Sequence, residues 1–247
     1  MPVLLSTAYF PPISYFAAMA REFVLPPLQQ NRLLEPVPAV VYIEACENYQ
    51  KQSYRNRCHF YSASGMQPLS YPVVHKDGTH RIPIREIGID WSTPWLQQHK
   101  RAIVSAYRTS AYFEYYQDEL FDIMDRKPEK LFDFNLSILR FFIEKTGIGV
   151  DLRLTDEYVQ DCHSGCCQDN LRSRLGVSGI ICRDFREAIH PKRPDTILED
   201  LNLKKPYFQV FAQKHGFISN LSIMDLLFNE GPDSILYLKG PLLQRSI

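Results

Sequence analysis

Cations and polar donors crowd together at Lys51-Gln-Ser-Tyr-Arg-Asn-Arg57, directly behind the apolar stretch Val40 to Ala45. Guanidinium groups hold phosphate or carboxylate through paired N–H···O bonds. Arg55 and Arg57 are therefore candidate anion ligands, with Lys51 and Asn56 beside them. The competing use of the same residues is a charged, solvated turn in which the nearby Glu44 and Glu47 pair with the arginines.

His99 is the candidate for proton handling. Trp95, His99, Ile103 and Tyr107 recur at every fourth residue behind Thr93-Pro94, a helix-start signal with Thr93 as cap, so the four share one helical face. Partial burial there would keep the imidazole neutral and usable as a general base or hydrogen-bond donor, with Tyr107 as its catalytic companion. A core histidine bonded to a carbonyl fits the same position. Ser222 and Asp225, ahead of Leu226 and Leu227, make an S-x-x-D capping pattern that directs the Asp225 carboxylate to helix amides rather than to chemistry.

The cysteines stand at 46, 58, 162, 166, 167 and 182, too unevenly for a disulfide framework, and are expected to be reduced thiols. Cys162-His-Ser-Gly-Cys166-Cys167 brings soft ligands together, with Cys182 as a remote fourth. The spacing is not a paired C-x-x-C, and Gly165, Asp169 and Asn170 mark a loop, so no metal is expected.

Lysine plus arginine and aspartate plus glutamate both total 28, which leaves no net field to draw the chain onto nucleic acid or an anionic membrane. Any anion must be bound locally, and the expected partner is a phosphorylated or nucleotide-linked small molecule. No run approaches the roughly 20 apolar residues of a membrane span, and the start lacks a secretory signal, so a cytoplasmic protein is expected. The Walker loop, the dinucleotide glycine fingerprint and the G-x-S-x-G elbow are absent, and no cofactor is named by the sequence.

The elements that must position these groups are mixed. Val3 to Thr7 reads as a strand, and Tyr9-Phe-Pro-Pro-Ile-Ser-Tyr15 as a turn into a helix through Arg21. Beyond prolines 26, 27, 36 and 38, Val40 to Cys46, Leu69 to Val74 and Ile82 to Ile89 read as strands. The middle third is helical: one helix from Trp95, one from Ser110 to Met124, one from Pro128 to a stop at Gly147. Strand and helix signals resume at Gly176 to Cys182, Tyr207 to Ala212 and Asn220 to Asn229. At 247 residues without internal repeats, the expectation is one compact α/β domain over 1–247, helices packed on a central sheet.

Four motifs in order, Tyr9-Phe-Pro-Pro, the run Lys51 to Arg57, Trp95-x-x-x-His99 with Ala106-Tyr107, and Leu221-Ser-Ile-Met-Asp-Leu-Leu-Phe-Asn-Glu-Gly231, resemble the WbqC-like family across almost the whole chain. The family takes its name from association with O-antigen and related surface-polysaccharide biosynthesis. Onto matching positions the resemblance carries candidate roles: Arg55 and Arg57 for an anion, His99 for proton handling, and Tyr9, Tyr107 and Asn229 for cleft polarity, with Tyr15 in the opening motif. Many relatives have glycine before that tyrosine, whereas this chain has Ser14, which argues against backbone packed tightly on phosphate there.

Two function classes follow. In the first, the protein is a transferase acting on a nucleotide-activated amino sugar or similar phosphorylated metabolite, the arginines gripping phosphate and His99 deprotonating the attacking group. Nucleotidyl transfer is a lesser version, since the opening turn loosely resembles HIGH-type nucleotidyltransferases but lacks their histidine pair. In the second, the same groups bind a sugar phosphate or partner without transforming it.

Overall fold

The computed structural model describes residues 1–21, 38–74, 81–160 and 182–240. Pro26, Pro27 and Pro36, the expected strand from Gly176 and the cysteines 162, 166 and 167 lie outside these residues.

Strand β1 (Val3–Ser6) opens the chain, followed by helix α1 (Ile13–Arg21) and strand β2 (Ala39–Glu44). These join β5 (Val150–Leu154) and β6 (Arg183–Asp184) in a parallel sheet of order β5-β2-β1-β6. Val3, Leu4 and Leu5 of β1 are all buried, as expected where both faces of a parallel sheet are covered. The register sets Val3 against Val41 and Ser6 against Glu44, and on the other flank Val3 against Arg183. All four strands therefore end at one edge. The strand order reverses at β1, with β2 on one side and β6 on the other.

A separate antiparallel hairpin, β3 (Arg57–Ser62) and β4 (Gly65–Ser70), turns at Gly65, whose φ of 90° suits a residue without a side chain. Helices α2 (Trp95–Tyr107), α3 (Phe113–Asp125) and α4 (Leu131–Thr146) supply the helical middle. Helix α4 ends on Gly147 at φ 70°, the left-handed stop that the sequence indicates. Short helices α5 (Ile197–Asp200) and α6 (Ala212–His215) precede α7 (Ile223–Glu230) and α8 (Ser234–Lys239). One large apolar cluster joins residues of β1, α1, β2, the hairpin, α2 to α4 and α7, so the described chain forms a single compact mixed α/β domain.

Several expected boundaries move. Ile82 to Ile89 is a 3₁₀ turn at Ile84–Glu86 flanked by single bridges rather than a strand, because Pro83 has no N–H to give a ladder. The strand expected over Leu69 to Val74 is β4, which ends at Ser70 two residues before Pro72. Thr93 is not the cap of α2; Pro94 occupies that position without a side-chain bond. At Tyr207 to Ala212 only the start of the one-turn α6 is formed.

Candidate functional site

The carboxyl edge of the parallel sheet concentrates buried charge. Glu44, the last residue of β2, accepts from Thr155 Oγ1 at 2.6 Å, the Cys46 amide at 2.9 Å, the Val159 amide at 3.0 Å and Arg186 Nη1 at 3.1 Å. Arg186, just past β6, also grips Asp184, with Nη2 to Oδ2 at 2.6 Å. Beside this pair, Arg55 donates from Nε to Glu47 Oε1 at 2.9 Å, from Nη2 to the other Glu47 oxygen, and from Nη1 to Gln50 Oε1 at 2.9 Å. Ser6 Oγ links the two, donating to Glu47 at 2.9 Å and accepting from Arg55 at 3.1 Å. Burial pushes the Glu47 carboxyl above its usual range even though Arg55 pulls the other way.

A crevice opens at this edge, lined by Ser6, Thr7, Tyr15, Tyr54, Arg55 and Arg186, among others. It lies where the strand order reverses, outside the carboxyl ends of β1 and β6, the place where open α/β sheets bind ligands. Its floor is narrow, with room for about one water molecule, so a ligand must rest at the mouth. Tyr15 closes one wall by donating its hydroxyl to the Ser6 carbonyl at 2.8 Å.

The turn from β1 into α1 does not leave free helix amides. Ile13 N donates to the Leu221 carbonyl at 2.9 Å, and Ser14 N to Asn220 Oδ1 at 2.8 Å. Ser14 Oγ and Asn220 Nδ2 both donate to Asp195 Oδ2, at 2.5 and 2.8 Å, which sets a carboxylate of the protein where an external anion would lie. Phe10 sits in this turn at φ 43°, a rare conformation for a bulky residue, and is fully buried.

His99 lies in an aromatic block. Its Nδ1 and the Tyr9 hydroxyl are 2.9 Å apart, its other side bonds the Ser70 backbone, and Trp95 meets it edge-on with ring centroids 5.1 Å apart. With the carbonyl of Ser70 accepting, Nδ1 is the acceptor for Tyr9. Burial, which disfavours the charged ring, lowers the His99 pKa to about 4 despite the Ser70 bond. This is the arrangement of a neutral histidine with both nitrogens engaged.

A third polar group surrounds Asp225 on α7. Its carboxylate accepts from Tyr207 OH at 2.5 Å and Gln209 Nε2 at 2.8 Å, with Tyr107 OH also bonded to it. Among the described residues no guanidinium or ammonium is bonded to it, and burial raises its pKa to about 6 against the pull of those three donors. Ser222 caps α7, accepting from the Met224 amide, but Asp225 makes no reciprocal capping bond, so the expected S-x-x-D box is half formed. Tyr107 also accepts from the Tyr61 amide at 3.3 Å, and Asn229 Nδ2 donates to the Asp225 carbonyl at 2.7 Å.

The sequence candidates thus divide among three places. Arg55 and Tyr15 line the crevice; Tyr9 and His99 form the aromatic pair; Tyr107 and Asn229 belong to the Asp225 group. Tyr9 is tied to the arginine run through its amide, which donates to the Tyr54 carbonyl at 2.8 Å. Asn56 bonds the Tyr71 carbonyl, and Lys51 is exposed. Arg57 opens β3, half-buried, with its Nε lacking a partner among the described residues. Ser6, Glu44, Asp184 and Arg186 complete the sheet edge without having been read as site residues. Glu44 and Glu47 were legible as partners for an arginine; nothing local marks Arg186, which reaches the site only through pairing of β6 with β1. Among the described residues no cluster of three metal-ligating side chains exists, and no helix is long and apolar enough to cross a membrane.

The model of the WbqC-like protein family matches residues 7–237, so the chain belongs to that family. It is also similar to Rv1507c, an uncharacterised protein of Mycobacterium tuberculosis, at 26% identity over 205 residues, covering 77% of this chain and 84% of the relative. No solved structure matches it.

Proposed function

We propose that this WbqC-like protein is a transferase of surface-polysaccharide biosynthesis that takes a nucleotide-activated amino sugar or similar phosphorylated metabolite at the carboxyl edge of its parallel sheet. The observation that carries this reading is the crevice at the strand-order reversal, where Ser6, Tyr15, Tyr54, Arg55 and Arg186 converge. In this reading the sheet edge holds and orients the ligand at the mouth, and His99, kept neutral by burial, handles the proton of the attacking group.

A second reading, non-catalytic binding, is favoured by a specific observation. Arg55 and Arg186 are already bonded to carboxylates, and His99, with both ring nitrogens engaged, sits in the aromatic block and not among the residues that line the crevice. Nucleotidyl transfer is not retained, because Asn220, Leu221 and Asp195 fill the start of α1.

The test is incubation with uridine- and thymidine-diphosphate amino sugars and acyl or aminoacyl donors, products being followed by mass spectrometry beside thermal-shift binding of the same compounds. Product formation that falls on the order of 100-fold in His99→Gln supports the transferase reading. Binding without product supports the second. Neither binding nor product removes both.

A further inference from the structure

We propose that Arg57, with Tyr49 and His59, forms a phosphate-binding subsite on β3, continuous through Tyr54 with the sheet-edge crevice. This rests on the reading that the crevice receives a phosphorylated ligand.

Among the described residues, the three arginines Arg55, Arg186 and Arg57 differ in what their guanidinium groups meet. Arg55 and Arg186 place their guanidinium groups on Glu47, Gln50, Asp184 and Glu44. The Arg57 side chain forms no hydrogen bond or ion pair among the described residues, and its Nε is buried with no acceptor there. Buried donors in native proteins are nearly always satisfied, and an orphan points to a water or ligand that belongs there. An arginine held half-buried with no carboxylate on it keeps its whole positive potential for an incoming anion.

Its neighbours are donors too. Arg57 and His59 alternate with the buried Cys58 along β3, so their side chains leave the same face of the hairpin. The Arg57 charge reaches both the Tyr49 phenol and the His59 imidazole. Tyr49 is buried to 8% exposure, and neither its hydroxyl nor the His59 ring has a hydrogen-bond partner among the described residues. The charges that reach Tyr49 are those of Arg55 and Arg57, and the charge that reaches His59 is that of Arg57. A fork and an imidazole on one face of β3, with a phenol within reach of the Arg57 charge, offer several donors, which suits an oxyanion with three terminal oxygens. His59 stacks edge-on against Tyr54, ring centroids 6.0 Å apart, and Tyr54 lines the crevice. A phosphate at Arg57 would therefore lie next to whatever rests in the crevice mouth.

The probes are inorganic phosphate and pyrophosphate, titrated by calorimetry and thermal shift at constant ionic strength, with sodium acetate as a carboxylate control. The expected result is saturable binding of pyrophosphate, weakened tenfold or more in Arg57→Gln, weakened less in Arg57→Lys, and unchanged in a variant of the exposed Lys205, Lys205→Ala. Tyr49→Phe and His59→Leu, each removing one donor, give the same readout if Arg57→Gln fails to fold. Absence of saturable binding, equal binding of acetate, or unchanged affinity in a folded Arg57→Gln overturns the proposal. Nucleotide-sugar binding that survives Arg57→Gln intact overturns this subsite and leaves the crevice reading standing. Pyrophosphate held at Arg57 without any nucleotide-sugar binding sustains the subsite and removes the reading on which it rests.

Discussion

The carboxyl edge of the sheet and the helical side of the molecule both bury ionisable groups, and they keep them by opposite means. At the sheet edge, Glu44 and Glu47 are closed by Arg186 and Arg55 in charge-assisted pairs. On the helical side, Asp225 is closed by two phenols and an amide, and His99 by a phenol and a carbonyl, with no opposite charge among the described residues bonded to either. In the first, an opposite charge works against the burial that raises the Glu47 pKa; in the second, only neutral donors and acceptors do. A paired charge fails badly when one partner is lost, whereas a neutral network fails gradually and answers to pH.

The largest effect should come from breaking a pair. Glu47→Leu leaves the buried Arg55 guanidinium uncompensated and should cost about 3–5 kcal/mol in chemical denaturation, while adding Arg55→Met should recover most of the loss. If the single variant costs under 1 kcal/mol, the sheet edge is wetter than its geometry implies.

The neutral side predicts a crossing of pH profiles. Asp225 has a folded pKa of about 6, above its unfolded value near 3.9, so the folded state holds the extra proton and stability from this group grows as pH falls through 6 toward 4. His99 has a folded pKa of about 4, below 6.5, so its contribution is full above 6.5 and is lost as pH falls toward 4. The two slopes oppose each other over the same window. Relative to wild type, Asp225→Asn should lose stability faster on acidification and His99→Gln more slowly, each by on the order of 2–3 kcal/mol between pH 7 and 4. Parallel profiles in all three proteins would show that neither group is as desolvated as its surroundings indicate.

Smaller still is Tyr107→Phe. It strands the Tyr61 amide and removes one donor from Asp225, a cost of about 1–2 kcal/mol measurable as a lower melting temperature. At the bottom of the scale stands Arg57→Gln, expected within about 0.5 kcal/mol of wild type because no protein bond is lost. A large loss there would mean that Arg57 serves the fold.

Much of this contrast was legible from local pattern. The four-residue spacing of Trp95, His99, Ile103 and Tyr107 placed them on one buried face of α2, and Gly147 ended α4 at a left-handed φ. Pairing of an arginine in the run with a nearby glutamate was likewise readable from separation alone, as Arg55 and Glu47 show. What local pattern did not disclose depends on distant segments. Ser14 looked like a poor substitute for glycine, yet it is the hydroxyl that binds Asp195, nearly two hundred positions away in the sequence. Asp225 looked like a capping residue because its partners Tyr107, Tyr207 and Gln209 come from other elements. Strands β3 and β5 were missed, the one because its alternation is masked by charge, the other because it is a half-buried edge whose partner is β2.

The placement of β6 beside β1 also bears on how the chain acquires its shape. Val3 pairs with Arg183, and Val41 with both Val3 and Leu152, so none of the parallel pairings is local. Such contacts require large loops to close before any stabilisation is gained, which slows folding. During synthesis β1 leaves the ribosome first and must wait, with one edge bare, until the Arg183–Asp184 strand emerges. For that interval its apolar Val3-Leu4-Leu5 run is an open strand edge, and truncation before residue 183 should make the chain aggregate more than the full-length protein does.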